Sequence, residues 1–112
     1  MFPSNLELLK HILEETSFIL ESTVGKSKKD VVSDPVLSRA LVRSLEIIGE
    51  AINKVDPDFK LLYPHVEWRK MSGTRNRLIH DYFGIDYDIV WDIIKSKLPD
   101  LKNYIGDIIS EY

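Results

Sequence analysis

Eight consecutive residues, Arg75-Asn76-Arg77-Leu78-Ile79-His80-Asp81-Tyr82, gather the chemistry of this chain into one place. A guanidinium is a permanent cation whose fork matches the oxygens of a phosphate. An imidazole changes charge near neutral pH, so it can take and return a proton there. A phenol hydroxyl donates, accepts and offers an oxygen for covalent modification. Such a set can hold a phosphate and move a proton with no metal to activate a nucleophile.

Each group also has a plainer role. A histidine near a helix C-terminus is more often a partner of the helix dipole than a catalyst. A helix-surface arginine usually makes an ion pair, and Arg77, only three residues before His80, is read that way. Asn76 either positions the neighbouring guanidinium or a phosphate, or is an ordinary surface amide. A tyrosine is commonly half-buried with a wet hydroxyl, the role assigned to Tyr63, Tyr87, Tyr104 and Tyr112. Arg75 and His80 are lifted above this background by their arrangement with Tyr82: Arg, four residues, then His-x-Tyr.

That arrangement resembles the active-site motif of the HepT-like toxins, a branch of the HEPN superfamily of metal-independent ribonucleases. Arg43-Ser44-Leu45-Glu46-Ile47-Ile48-Gly49-Glu50-Ala51 is similar to the family's central helix. Trp68-Arg69-Lys70-Met71-Ser72-Gly73 and Tyr82-Phe83-Gly84-Ile85-Asp86 are similar to the flanks of its motif. The likeness covers nearly the whole chain, with the separate stretches in the same order.

The resemblance implies a metal-independent endoribonuclease, the toxin of a two-gene toxin–antitoxin pair of the type II or VII kind. Arg75 would bind the scissile phosphate and His80 would transfer protons, with Asn76 in support. The ribose 2′-hydroxyl would attack the adjacent phosphate, leaving a 2′,3′-cyclic phosphate. Its partners would be an RNA substrate, a second copy of the chain in a homodimer, and a nucleotidyltransferase antitoxin that attaches adenylate to Tyr82. No cofactor, no metal and no DNA are expected. The competing class is a non-catalytic helical subunit that binds a nucleotidyltransferase. Growth arrest on expression of the isolated chain separates the two.

Length and composition set the frame. A chain of 112 residues reads as a single HEPN-like domain over 1–112, and such a domain buries roughly two-thirds of its unfolded surface. There is no cysteine, which removes disulfides and thiolate metal sites. His11, His65 and His80 have no metal-ligand spacing, and HExxH, Walker and GxGxxG patterns are missing. No apolar run reaches the roughly 18 residues of a membrane span, and the N-terminus lacks a signal-peptide pattern, so a soluble cytoplasmic protein without membrane partners is expected. Net charge is −3, which as a total argues against nucleic-acid binding. The distribution argues otherwise: between His65 and His80 stand Arg69, Lys70, Arg75 and Arg77 against Glu67 alone.

The apolar periodicity is helical throughout, and predicts an all-α up-and-down bundle of four main helices plus short segments. Leu6, Leu9, Ile12, Leu13, Thr16, Ile19 and Leu20 form the first stripe, ended by Gly25. Ser27-Lys28-Lys29-Asp30 has the form of a capping box with Asp in place of Glu. Asp34-Pro35 starts a helix that lines up Leu37, Leu41, Leu45, Ile48, Ile52 and Val55, with Arg39, Arg43, Glu46, Glu50 and Lys54 along another face. Asp56-Pro57 opens a short piece ending before Pro64. The motif helix is expected from about Val66 to about Tyr82, terminated by Gly84. Asp86 caps the last segment, where Val90, Ile94, Leu98, Leu101, Ile105 and Ile108 share a face and Pro99 should kink or split it.

One difficulty follows from that motif helix. Residues five apart on an uninterrupted helix are separated by about 140° around its axis, so Arg75 and His80 would not share a face. Either the helix loosens near His80 or the two meet across a subunit boundary, which the resemblance places at a dimer cleft. Trp68, Phe83 and Trp91 are the apolar candidates for such an interface.

Overall fold

A computed structural model describes residues 3–74, 79–81 and 84–112, with 79–81 described by backbone alone. Among these residues the order is α1 (Asn5–Ser22), α2 (Lys28–Val32), α3 (Pro35–Lys54), α4 (Pro57–Leu61), α5 (Trp68–Ser72), β1 (Ile79–Asp81), β2 (Gly84–Ile85), α6 (Tyr87–Asp92), a π-helical turn (Ile93–Lys97) and α7 (Leu98–Ser110). The architecture is an all-α helical bundle with one two-stranded β-hairpin set into it.

The helix starts are made by side chains that satisfy the otherwise orphaned first-turn N–H groups. Ser4 Oγ accepts from the Glu7 amide at 3.1 Å. Ser27 and Asp30 exchange side-chain and backbone bonds in the full capping box. Asp34 Oδ1 accepts from Val36 and Leu37 at 3.1 and 3.0 Å, ahead of Pro35 in the first turn. After α1, Gly25 takes a φ of 71°, a left-handed conformation that glycine enters without steric cost.

Antiparallel α1 and α3 form the centre of the bundle. Ser44 Oγ donates to Glu15 Oε1 at 2.7 Å, and at the other end the Asp56 amide donates to Asn5 Oδ1 at 3.1 Å. Both helices bury the expected stripes: Leu9, Ile12 and Ile19 meet Leu41, Leu45, Ile48 and Ile52, and all seven are fully enclosed. Burying such a side chain is worth about 1.5–3 kcal/mol relative to leaving it in water. Leu6, expected in the first stripe, is half-buried, and Leu8 takes the enclosed place. Thr16 sits in the core because its hydroxyl donates back to Ile12 O at 2.7 Å.

Val90, Ile94, Leu98, Leu101, Ile105 and Ile108 complete the core from the C-terminal side, all buried as the periodicity predicts. Pro99 acts as expected. Its ring lacks an N–H and crowds the carbonyl four residues back, which a regular α-helix cannot absorb. The chain widens into the π turn, where Leu98 N–H reaches Ile93 O, and re-enters α-helix with the proline in its first turn.

The motif region departs from expectation. The expected helix over 66–82 does not run unbroken: α5 closes at Gly73, and Ile79–Asp81 is an extended strand. Gly84 does not terminate a helix; it pairs in β2. At Gly73 the backbone leaves the helical range, with ψ near 1°, and further on Ile79 pairs with Ile85 across the strands.

Candidate functional site

Described elements flank the motif on both sides in the sequence, while Arg75, Asn76, Arg77, Leu78, Tyr82 and Phe83 lie outside the described residues. The expected roles of Arg75, Asn76 and Tyr82 therefore have no geometry here, and His80 has a backbone position only.

On the N-terminal side, α5 is locked against α3. Trp68 and Met71 are buried, and the Trp68 indole N–H donates to Tyr63 O at 3.0 Å. This corrects one expectation: Trp68 was a candidate for a subunit interface, yet its ring is consumed by the protein's own core. Of the other two candidates, Trp91 is half-buried with Lys95 Nζ 4.9 Å from its ring centroid, and Phe83 lies outside the described residues.

Gly49 makes the close approach of α5 possible. A Cβ at this position would stand 3.3 Å from Met71 O and 3.5 Å from Ser72 O. Glycine lets the last carbonyls of α5 rest on the backbone of α3, three residues before Arg75. This gives a packing role to a residue of the Arg43–Ala51 segment that reading the sequence left unassigned. A glycine inside an amphipathic helical pattern was the available signal, since its propensity cost calls for a packing reason.

The outer face of α5 is charged. Glu67 Oε2 lies 3.2 Å from Lys97 Nζ and 3.7 Å from Lys70 Nζ, and these cations, Lys97 foremost, hold the Glu67 carboxyl below its usual range. Lys97 was not anticipated as a member of this region. It arrives through the π turn, from a segment 30 residues away in sequence. Arg43 stands 3.6 and 3.7 Å from Glu46 and Glu50, so these three form an ion-paired face of α3. Tyr63, Tyr87 and Tyr104 are half-buried as expected, whereas Tyr112 is mostly exposed.

On the C-terminal side, the β-hairpin leads into α6. Asp86 Oδ1 accepts from the Asp88 and Ile89 amides at 3.0 and 3.3 Å, the predicted cap. Ile85 packs against the core, and Asp88 pairs with Lys28 to join α6 to α2.

The hairpin register is informative. Ile79 pairs with Ile85 and Asp81 with Gly84, so two steps along β1 answer one step along β2. His80 is the extra residue of this bulge. Bulges of this kind break the regular ladder and are over-represented beside active sites. The extended backbone also removes the difficulty raised by the helical reading, because a separation of about 140° applies only where the helix continues through His80.

With this geometry in hand, comparison with known proteins is decisive. The family model described as Ribonuclease HepT-like matches residues 12–108. The chain belongs to the HepT-like ribonuclease family. A protein named "Putative RNase" from Caldanaerobacter subterraneus subsp. tengcongensis is 44% identical over 103 residues, covering 92% of each chain. A "Putative RNase" from Methanocaldococcus jannaschii is 40% identical over 103 residues, covering 92% of this chain and 85% of its own. The "Probable ribonuclease HepT" of Thermococcus cleftensis is 39% identical over 99 residues, covering 88% of this chain and 90% of its own. No solved structure matches the chain. Among the described residues, no helix is long and apolar enough to cross a membrane. The HepT-like match runs through both walls of the site, from α1 across α5 and the hairpin into α7.

Proposed function

We propose that this HepT-like chain is a metal-independent endoribonuclease, the toxin of a cytoplasmic two-gene pair, active as a homodimer. The observation that carries the reading is the intact Arg75-x4-His80-x-Tyr82 sequence inside the span that matches the ribonuclease family. The bulge at His80 supports it, since it sets the proposed proton-transfer residue at a break in the strand ladder.

The reaction needs three things. His80 accepts the proton of the ribose 2′-hydroxyl as that oxygen bonds to phosphorus. The same imidazolium, or that of the second protomer, returns a proton to the departing 5′-oxygen as the P–O5′ bond breaks. Arg75 offers its fork to the two non-bridging phosphate oxygens, where charge accumulates in the transition state. The products are a 2′,3′-cyclic phosphate and a free 5′-hydroxyl. Asn76 supports the guanidinium. Tyr82, two residues from His80, is the acceptor for adenylate from a nucleotidyltransferase antitoxin. A phosphodiester there competes for the cation that holds the RNA, and the nucleoside blocks the cleft.

The test is cleavage of single-stranded RNA in the presence of a chelator by the wild-type, His80→Ala, Arg75→Ala and Arg75→Lys proteins. Loss of the proton-transfer group is expected to slow the reaction on the order of 10²–10⁴-fold. Arg75→Lys is expected to be nearly as poor, because an ammonium does not reproduce the fork. Full activity in His80→Ala, together with loss on chelation, overturns the mechanism. Tyr82→Phe is expected to stay folded and to escape neutralisation when co-expressed with the antitoxin. Adenylate found by mass spectrometry on another tyrosine defeats the Tyr82 assignment.

A further inference from the structure

A shallow groove runs between α4 and α5 on the N-terminal side of the motif. Its apolar floor comes chiefly from Leu61 and Pro64, since Val66 and Trp68 are buried, and Lys60, Arg69 and Lys70 line it beside them. Leu61 is 77% exposed, so the bundle leaves this floor uncovered. The groove contains one carboxylate, Glu67, already held by Lys97 and Lys70. Among the described residues, no ion pair involves Lys60 or Arg69. Three cations and one acid leave the groove lining with an excess of two positive charges on a protein whose net charge is −3.

We propose that this groove is the track along which the single-stranded RNA substrate approaches the motif, its phosphates against Lys60, Arg69 and Lys70 and its bases over the apolar floor. The inference rests on the ribonuclease reading and adds the substrate's path to it. Three features select RNA over an acidic protein face. A polynucleotide carries a charge on every residue, which suits cations set along a channel rather than around a point. The exposed apolar side chain of Leu61 beside those cations offers bases a contact that does not read their sequence. The groove also takes Trp68, Arg69 and Lys70 from α5, the last described helix before Arg75 in the sequence.

The probe is a fluorescein-labelled single-stranded oligonucleotide with 2′-O-methyl riboses. It lacks the attacking hydroxyl and reports binding alone. Fluorescence anisotropy is measured from 50 to 200 mM salt for the full chain and for the Lys60→Gln/Arg69→Gln/Lys70→Gln protein. Each single-strand phosphate contact contributes about 0.7 to the slope of log affinity against log salt. Losing three contacts therefore makes the slope shallower by about 2, so wild-type affinity falls roughly 20-fold more than the variant's over this range. A control with the same charge change elsewhere, Lys10→Gln/Lys26→Gln/Lys29→Gln, is expected to keep the wild-type slope. If the groove variant is not helical by circular dichroism, Arg69→Gln alone is read for a change of about 0.7.

An unchanged slope in the groove variant, or an equal change in the control, overturns the track. So does a groove variant that keeps RNA affinity while losing a protein partner. Cleavage of unmodified RNA by the wild-type protein is scored separately. A wild type that cleaves beside a groove variant with an unchanged slope refutes the track and leaves the ribonuclease reading standing. A wild type that shows the salt-dependent contacts but never cleaves does the reverse.

Discussion

Gly49→Ala tests whether the close approach of α5 to α3 sets the geometry of the motif. Two effects oppose each other in the folded state. Alanine in a helix interior is favoured over glycine by about 0.8–1 kcal/mol. The added Cβ, however, meets Met71 O at 3.3 Å and Ser72 O at 3.5 Å, both backbone atoms that cannot swing aside as a side chain would. The end of α5 must retreat by a few tenths of an ångström, and the strain offsets most of the propensity gain. Stability measured by urea unfolding is expected to stay within about 1 kcal/mol of wild type. Activity is expected to move more. A misplacement of about 1 Å can cost on the order of 10²-fold in rate, so a retreat of a few tenths should cost several-fold in kcat/KM. Gly49→Val adds two methyls at the same contact and is expected to lose roughly 1–3 kcal/mol as well. A Gly49→Ala protein that gains the full propensity term with unchanged kcat/KM would refute the idea that this contact positions the motif.

Two further outcomes concern the flanks of the site. Asp86→Ala removes the acceptor that caps α6 and is expected to cost about 1 kcal/mol in chemical denaturation, with Asp86→Asn largely restoring it; no loss in the alanine variant would show that the cap is immaterial. The Glu67 carboxyl is held by Lys97 and Lys70 below its ordinary value of 4.5. Its lower folded-state value makes its contribution present above about pH 4.5 and lost as pH falls through the folded value. Thermal unfolding between pH 6 and 3 is expected to drop more steeply for wild type than for Glu67→Gln, and parallel curves would count against the ion pair.

The long helices and their starts were legible because their signals are local. Asp34 before Pro35, Asp86 before Tyr87 and the Ser27–Asp30 box each act within a single turn, and the stripes of α1, α3 and α7 repeat at the helical period. The motif region was not legible in the same way. Arg75 to Tyr82 follows on from a helical segment, and helix propensity gave no reason to stop before Gly84. The break at Gly73 and the pairing of Ile79 with Ile85 lie outside any helical period, and the pairing exists only once the chain has turned back. Trp68 was misjudged for a related reason. Its burial depends on Tyr63 O being presented five residues earlier, in a turn with no periodic signature. The family was readable from the resemblance of the motif and its flanks, and the family match agrees with that reading. Lys97 beside Glu67 was not readable, because it depends on the widened turn.

That widened turn imposes a counting rule on the chain. A π turn holds one residue more than an α turn, and the helix from Tyr87 to Ser110 spends it between Ile93 and Lys97. Removing one residue there would take out the extra position that accommodates Pro99, and it would also rotate everything upstream by about 100° relative to α7. Val90 would leave the core, and Asp86 would swing away with the hairpin that carries His80. Length variation within the family should therefore collect in the turns around α2 and α4 and avoid 87–98, so that an insertion or deletion in this window marks a copy whose hairpin has lost its registration with the bundle.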